Sequence, residues 1–304
     1  TLLPTYLRFV RGVIDSEDLP LNVSREILQE NKIMATIRNG SVKKLLSEFK
    51  RISENNPELF EKFINQYNRP LKEGLYSDYA NRDTLLEIVR YHSSEKEGWV
   101  SLKEYKERMK EGQKAIYYIA GADEKILRSS PLVQAFKNKG YEVLLLDEDI
   151  DELVINMVPE YDSVPLKAIN RTDALDEIST EDEKKENEKK NPLRDKIASA
   201  LGDKVKKVVI SSRLGDAPSS VILDENDPTL GMQRLMKQMG GLEEDIKPIL
   251  EVNPEANLVK RIEESESEEL TKNLSVVLLG QALLSEGIMP KDPAEFAKAL
   301  TAVV

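Results

Sequence analysis

The first third of the chain repeats its apolar residues at intervals of three and four positions, which is the spacing of one face of an α-helix. Residues 42–52, 59–67 and 85–89 each contain such a run. Ser101 and Glu104 stand at the spacing of a capping box, which predicts the start of another short helix. We therefore expect this part of the chain to form an array of helices.

The pattern changes in the next part of the chain. Residues 114–121 are a β-branched and aromatic run that ends in glycine, and residues 141–146 are almost entirely apolar, so both are predicted strands. Between them, Ser130 and Pro131 are typical of a helix N-terminus. Strand, helix and strand within about thirty residues predict a right-handed βαβ unit. A further helix is expected over residues 149–157.

Residues 171–190 interrupt this apolar pattern. Their second half, EDEKKENEKK, contains no apolar residue. Such a segment cannot bury enough surface to offset the entropy lost on ordering, so it is predicted to be either a solvated linker or a charged helix. A domain boundary is expected there.

The last part of the chain mixes strand and helix patterns. Residues 205–211 and 219–223 are predicted strands around a turn, and helices are expected to begin at Asn191 and Asn253.

Two amphipathic helices are predicted at the end of the chain, starting at Ser265 and Asp292. Two such helices by themselves bury too little apolar surface to be stable. Pairing with the same helices of a second copy would give a four-helix bundle and a two-fold dimer. The residues expected at this dimer interface are Leu270, Leu274, Val277, Leu278, Gln281, Leu284, Phe296 and Leu300.

These patterns predict a multidomain chain of the α+β and α/β classes. The first domain is expected over residues 1–170, with a helical array at 24–110 and a small three-layer α/β subdomain at 111–170. A charged linker follows at 171–190. An α+β C-terminal domain at 191–304 ends in the helical dimerisation bundle.

Composition narrows the range of partners. The chain has 304 residues, with 44 Lys+Arg and 55 Asp+Glu, and a formal net charge of −11. Binding to nucleic acid needs clustered positive charge, so nucleic acid is not an expected partner. No apolar run approaches the ~18 residues of a membrane span, so a membrane is not expected either.

Two scarce residue types exclude most self-contained active sites. The absence of cysteine rules out disulfides and thiolate metal sites, and it fits a reducing compartment. His92 is the only histidine, so multi-histidine metal sites are impossible and no metal site is predicted. Phosphate-binding glycine motifs are also missing from the sequence. An autonomous α/β enzyme is therefore the weakest of the function classes.

The run LNVSREILQEN contains the first candidate residues. An arginine at a helix start, such as Arg25, can hold a phosphate with its fork of donors. From spacing alone, a surface ion pair between Arg25 and Glu26 or Glu30 is the favoured interpretation.

A second candidate segment places four apolar residues on one helix face, namely Met232, Leu235, Met236 and Met239. Methionine-rich faces suit varied apolar partners. An ordinary core stripe is the commoner use of this spacing, but the two glycines that follow favour exposure.

Longer stretches resemble a known family. TLLPTYLRFVRGVIDSEDLPLNVSREILQEN closely resembles the middle domain of the heat-shock protein 90 chaperones, particularly the bacterial HtpG type. The small α/β subdomain of that domain is similar to RMKEGQKAIYYIAG, SSPLVQAFKNKGYEVLLL and DEDIDELVINMV. The C-terminal dimerisation domain is similar to LEVNPEANLVKRI and SVVLLGQALLSEG. The resemblance is collinear over nearly the whole chain, and the LPLNVSRE run is very specific.

The resemblance implies a cytoplasmic, homodimeric molecular chaperone that uses ATP to remodel partly folded client proteins. In the family, ATP and Mg²⁺ are bound by a separate N-terminal domain, which this chain lacks. We therefore expect the chain to hold no cofactor and to be no enzyme by itself; its start at Thr1 also suggests a piece of a longer protein. Arg25 matches the arginine that reaches the γ-phosphate when the clamp closes, and Gln29 matches the glutamine of the same loop.

The resemblance also implies client contacts. The segment from Met232 to Met239 matches the amphipathic helix to which client contact is attributed. Glu152 falls where the bacterial family has a client-contacting Glu-Trp pair, although Leu153 replaces the tryptophan. The chain ends without the acidic tail that recruits helical-repeat co-chaperones, so such partners are not expected. A dimeric scaffold without client binding is the alternative function.

Overall fold

A computed structural model describes residues 2–15, 32–229, 232–233, 236–237, 239–241 and 246–304. Over these residues the chain has a mixed α+β fold with thirteen α-helices and two small sheets. The helices are α1 (Lys32–Asn55), α2 (Pro57–Ser77), α3 (Arg82–Ile88), α4 (Leu102–Arg108), α5 (Glu124–Ser129), α6 (Pro131–Asn138), α7 (Asp151–Val154), α8 (Thr172–Ile178), α9 (Glu181–Lys189), α10 (Asn191–Leu201), α11 (Asn257–Glu264), α12 (Glu268–Ser285) and α13 (Pro293–Val303). The strands are β1 (His92–Ser93), β2 (Ile116–Ala120), β3 (Val143–Leu146), β4 (Glu160–Tyr161), β5 (Val164–Ala168), β6 (Lys207–Ile210), β7 (Ser219–Ile222) and β8 (Ile249–Val252).

The helical spacing of the first third is confirmed. Helix α1 buries the stripe of Val42, Leu46 and Phe49 against α2 and α3. The capping box of α4 is also present, because the Ser101 hydroxyl accepts from the Glu104 amide at 3.1 Å and the Glu104 carboxylate accepts from the Ser101 amide at 2.7 Å. Each of these features is local in sequence, which is why the pattern predicts it.

The first sheet has the order β1-β3-β2-β5-β4. Strands β2 and β3 are parallel, as the predicted βαβ unit requires, and α6 begins at Pro131 with Ser130 as its cap. Strand β5 pairs parallel to the other side of β2, while β1 and β4 are antiparallel edges. Strands β1, β4 and β5 were not predicted, because β1 and β4 are short and Pro165 and Lys167 interrupt the apolar pattern of β5.

Both faces of this first sheet are covered. Side chains of β2 and β3 alternate, so that Tyr118 and Leu144 pack toward the helical array. Tyr117 and Val143 pack on the opposite face, in a core that also contains Ile249 of β8. A core shared in this way joins the first sheet to the second.

The charged segment 171–190 forms two helices. Helix α8 buries Ala174 and Ile178. Helix α9, all of which the structure describes, buries none of its side chains and begins with a capping box between Thr180 and Glu183. The helical alternative therefore describes this segment, and its first half is part of a core.

The second sheet has the order β6-β8-β7. The strands expected over residues 205–211 and 219–223 are present, but they do not pair with each other. Strand β8 lies between them, parallel to β6 and antiparallel to β7. Strand β8 was not predicted, because the buried Glu251 interrupts its apolar pattern.

The helices that follow β8 start close to the predicted positions. Helix α11 starts at Asn257 rather than Asn253, and α12 starts after its cap Ser267 rather than at Ser265. Asp292 caps α13 as predicted, accepting from the Glu295 amide at 2.8 Å. Helices α12 and α13 pack on each other and on α10 and α11, and together they bury the apolar face of the second sheet.

Candidate functional site

Three of the predicted functional residues, Arg25, Gln29 and Leu235, lie outside the described residues. The others lie near a cleft between the two sheets or belong to α12 and α13.

The cleft opens where two parallel strands of the first sheet end. The chain passes from β2 to β3 on one side of β2 and later places β5 on the other side, so the carboxyl ends of β2 and β5 form a topological switch point. Open α/β sheets commonly bind ligands at such a crevice. Gly121 and Asn170, which follow these two strands, line a cleft of ≈ 390 Å³.

The opposite wall of the cleft comes from the C-terminal part of the chain. The apolar lining of the whole cleft includes Ile126, Val221, Leu223, Val276, Leu279, Leu283, Ile288, Met289 and Phe296. Its basic lining consists of Lys204, Lys237, Lys247 and Lys291, and its acidic lining of Glu152, Asp203, Glu286, Asp292 and Glu295. An apolar cavity of this volume with a few polar groups is typical of a binding site.

Glu152 and the methionine-rich segment meet at this cleft although about eighty residues separate them in sequence. Glu152, Gln233 and Lys237 all line it. Thr229 joins them: its hydroxyl donates to Glu152 Oε2 at 3.3 Å and accepts from the Met232 amide at 3.2 Å. Sequence reasoning missed Thr229, and the Thr at the start of a helical spacing was the available signal.

The three described methionines of this segment differ in exposure. Met239 is 78% exposed, whereas Met232 and Met236 are half-buried. Met289, at the cleft, is also largely exposed. Flexible thioether side chains in partly exposed positions can adapt to differently shaped apolar partners.

A buried ion pair anchors the helix that carries Glu152. The Lys72 ammonium lies 2.6 Å from Asp151 Oδ1 and 2.7 Å from Glu148 Oε2, and it sits 4.2 Å from the centre of the Tyr91 ring. Lys72 and Asp151 are both fully buried. Burial raises the pKa of the Asp151 carboxyl to about 6, although the Lys72 charge acts in the opposite direction.

Glu286, at the end of α12, links the two sides of the cleft. Its Oε1 accepts from the Ser130 hydroxyl at 2.8 Å, and Ser130 caps α6 beside the first sheet. Burial, supported by the nearby Glu251 charge and opposed by the bond from Ser130, raises the pKa of the Glu286 carboxyl to about 7. This carboxyl therefore exchanges its proton near neutral pH.

The residues predicted at a dimer interface fall into two groups. Leu274, Val277 and Leu278 are buried by the chain's own core, so a second copy cannot bury them further. Leu284 and Leu300 are 44% and 41% exposed. Gln281 is exposed as well, whereas Leu270 and Phe296 are partly buried. Gln281, Leu284 and Leu300 are thus the predicted interface residues most available to a second copy.

Comparisons with known proteins identify what this chain is similar to. A profile of the family described as "Hsp90 protein" matches residues 1–304. Proteins named "Chaperone protein HtpG" from Treponema denticola, Sulfurovum sp. and Borrelia garinii subsp. bavariensis are 52%, 51% and 48% identical to it. These alignments cover 98%, 97% and 97% of the chain, but 48%, 47% and 48% of the relatives. The chain therefore spans about half the length of the curated relatives it matches.

Among the residues that the structure describes, no helix combines the length and the apolar character needed to cross a bilayer.

Proposed function

The chain belongs to the Hsp90 family, and we propose that it acts as the client-contacting and dimerising part of an ATP-driven molecular chaperone. The name of its relatives, "Chaperone protein HtpG", and the match along all 304 residues support this proposal. In this proposal the chain consists, in order, of a helical array, a three-layer α/β subdomain and a C-terminal domain that ends in a dimerising bundle.

The observation that carries the proposal is the cleft at which Glu152 and the segment 232–237 meet. The resemblance assigns client contact to both, and Thr229 hydrogen-bonds to both. An apolar wall that includes the exposed Met289 suits extended apolar segments of many sequences. Binding of this kind is weak and broad, as a chaperone for partly folded proteins requires.

Dimerisation would place two such clefts in one assembly. The exposed Leu284 and Leu300 on the outward face of α12 and α13 support pairing of these helices with those of a second copy. A two-fold arrangement would use the same surface on both copies.

The ATPase role of Arg25 and Gln29 belongs to the intact protein. In this proposal the two side chains complete a site for ATP and Mg²⁺ on an N-terminal domain, and the chain alone neither holds nucleotide nor hydrolyses it. In the full-length protein, Arg25→Ala should abolish most ATP hydrolysis. A wild-type rate would overturn this assignment without affecting client contact.

Client contact is tested by a matched pair of variants. Met239→Ser replaces an exposed methionine of the candidate segment, and Met157→Ser replaces an exposed methionine outside that segment. The Met239 variant should lose suppression of aggregation of an unfolding client, while both variants keep the melting temperature of the parent.

Equal chaperone activity in the two variants would contradict the proposal. It would favour the alternative function, a dimeric scaffold without client binding.

A further inference from the structure

The single histidine of the chain lies beside two carboxylates at one corner of the first sheet. His92 belongs to the edge strand β1, Asp147 follows β3 directly, and Glu124 is the first residue of α5. His92 Nδ1 is 3.0 Å from Asp147 Oδ1 and 3.9 Å from Glu124 Oε2. All three potential ligand atoms lie within 4.8 Å of one another.

We propose that His92, Glu124 and Asp147 bind a divalent transition-metal ion of the Zn²⁺ type. Zn²⁺ holds nitrogen and oxygen ligands at about 2.0–2.2 Å, so two ligands of one ion lie at most about 4.4 Å apart. The observed separations need only small side-chain rotations to reach that range. One imidazole nitrogen and two carboxylate oxygens leave the fourth tetrahedral position to water.

The imidazole ligand determines which class of metal ion fits the site. Mg²⁺ and Ca²⁺ prefer sites built only from oxygen, whereas imidazole suits Zn²⁺, Cu²⁺ and Ni²⁺. The sequence pattern could not predict this set, because its members come from three separate elements that only the sheet brings together. The inference is independent of the proposed chaperone role.

Neighbouring side chains orient two of the three ligands, Glu124 and His92. The Arg128 guanidinium donates to Glu124 Oε1 at 2.6 Å, which leaves Oε2 directed toward His92. The Trp99 indole stacks on the His92 ring with their centres 4.1 Å apart, and its Nε1 donates to Asn65 Oδ1 at 2.6 Å. Such outer contacts orient the ligands of known metal sites.

Charge and burial also favour a cation at this corner. The His92, Glu124 and Asp147 side chains are 16%, 34% and 19% exposed, so an ion can enter and still lose much of its water. The two carboxylates carry two negative charges, and the Arg128 guanidinium beside them carries one positive charge. Lys72 faces the same corner, but its charge is paired with Glu148 and Asp151.

The experiment uses the untagged, metal-stripped chain, in which His92 is the only imidazole. Zn²⁺ is titrated into protein labelled with ¹³C-histidine while the imidazole NMR signals are recorded. We expect a saturable shift that is complete near one equivalent of Zn²⁺ and is not produced by Mg²⁺. Unchanged imidazole signals at several equivalents of Zn²⁺ would overturn the proposal, and this measurement needs no variant.

Calorimetric titration of variants then identifies the carboxylates. Asp147→Asn and Glu124→Gln should each weaken Zn²⁺ binding at least about tenfold. Glu95→Gln is the matched control, because Glu95 is a nearby carboxylate that faces Lys137 rather than the cluster, and it should leave the affinity unchanged. Equal affinity in His92→Gln and the parent chain would place Zn²⁺ elsewhere and refute the site.

Discussion

Each of the two sheets is supported by a buried ion pair, and the two pairs are built differently. Near the first sheet, the Lys72 ammonium is a point charge between Asp151 and Glu148. In the second sheet, the Arg213 guanidinium meets Glu251 of the central strand β8 with two parallel bonds, of 2.6 and 2.8 Å. The planar guanidinium with its two parallel bonds fixes the geometry of the Arg213 pair, whereas the ammonium does not fix that of the Lys72 pair.

The difference also affects protonation. If the Lys72 cation is lost, Asp151 can become neutral by binding a proton, because burial raises the pKa of its carboxyl to about 6. In the second sheet, the bidentate partner satisfies both oxygens of Glu251. We therefore expect the first pair to tolerate the loss of its cation better than the second, most clearly at acidic pH.

The largest effect is expected for Arg213→Met. This change removes the bidentate partner of the buried Glu251 in the centre of the second sheet, and breaking such a buried pair costs about 3–5 kcal/mol. Urea unfolding measures the loss. The double variant Arg213→Met/Glu251→Leu should recover most of it, and a single-variant loss below about 1 kcal/mol would show that the pair does not hold the sheet.

Lys72→Met should cost less, about 3 kcal/mol at pH 8, where Asp151 and Glu148 lose the cation that they share. The folded-state pKa of Asp151 is raised, so its proton is favoured by folding below about pH 6. The cost of the variant should therefore shrink between pH 8 and pH 5.5, as measured by urea unfolding at both values. An equal cost at the two values would contradict the contrast with Arg213.

Close helix packing offers a smaller contrast between the same two regions. A Cβ added at Gly280 of α12 would lie 2.1 Å from Phe296 Cδ2, whereas one at Gly74 of α2 would lie 2.7 Å from Leu85 Cδ1. The rigid Phe296 ring can move aside less easily than the flexible end of the Leu85 side chain. Gly280→Ala should cost about 1–3 kcal/mol, and Gly74→Ala less than Gly280→Ala.

The control for both glycines is Gly40→Ala in α1. A Cβ there meets no atom of the described residues within 4 Å. Alanine should stabilise this helix by about 0.5–1 kcal/mol. If all three variants shift the unfolding midpoint equally, helix propensity rather than packing governs the effect.

The smallest effect concerns Glu286, which connects the two regions. Its folded-state pKa is raised to about 7, so the stability it contributes is present at acidic pH and is lost as the pH rises through about 7. Glu286→Gln keeps an acceptor for Ser130 without the charge. It should raise the melting temperature by a few degrees at pH 8, roughly 1 kcal/mol, and change it little at pH 5.

An unchanged melting temperature at pH 8 would show that the carboxylate is already accommodated there. Glu263→Gln, an exposed carboxylate on α11 that pairs with Lys190, serves as the control.

Much of the fold follows from the order of residues alone. The helical stripes of α1 and α2, the capping box at Ser101 and the cap at Asp292 depend on contacts three or four residues apart. Their formation needs little from the rest of the molecule, which is why periodicity and residue type predict them. The family, and with it the candidate roles of Arg25 and Gln29, also follows from the sequence.

Only the tertiary structure decides which distant residues meet. It makes Glu251 part of a central strand, hides Leu274 and Leu278 inside the chain, and brings Glu152 to the methionine segment through Thr229. These outcomes depend on strand order and on packing between elements far apart in sequence. No local spacing encodes them, because burial and pairing of a side chain are set by all the neighbours that the fold supplies.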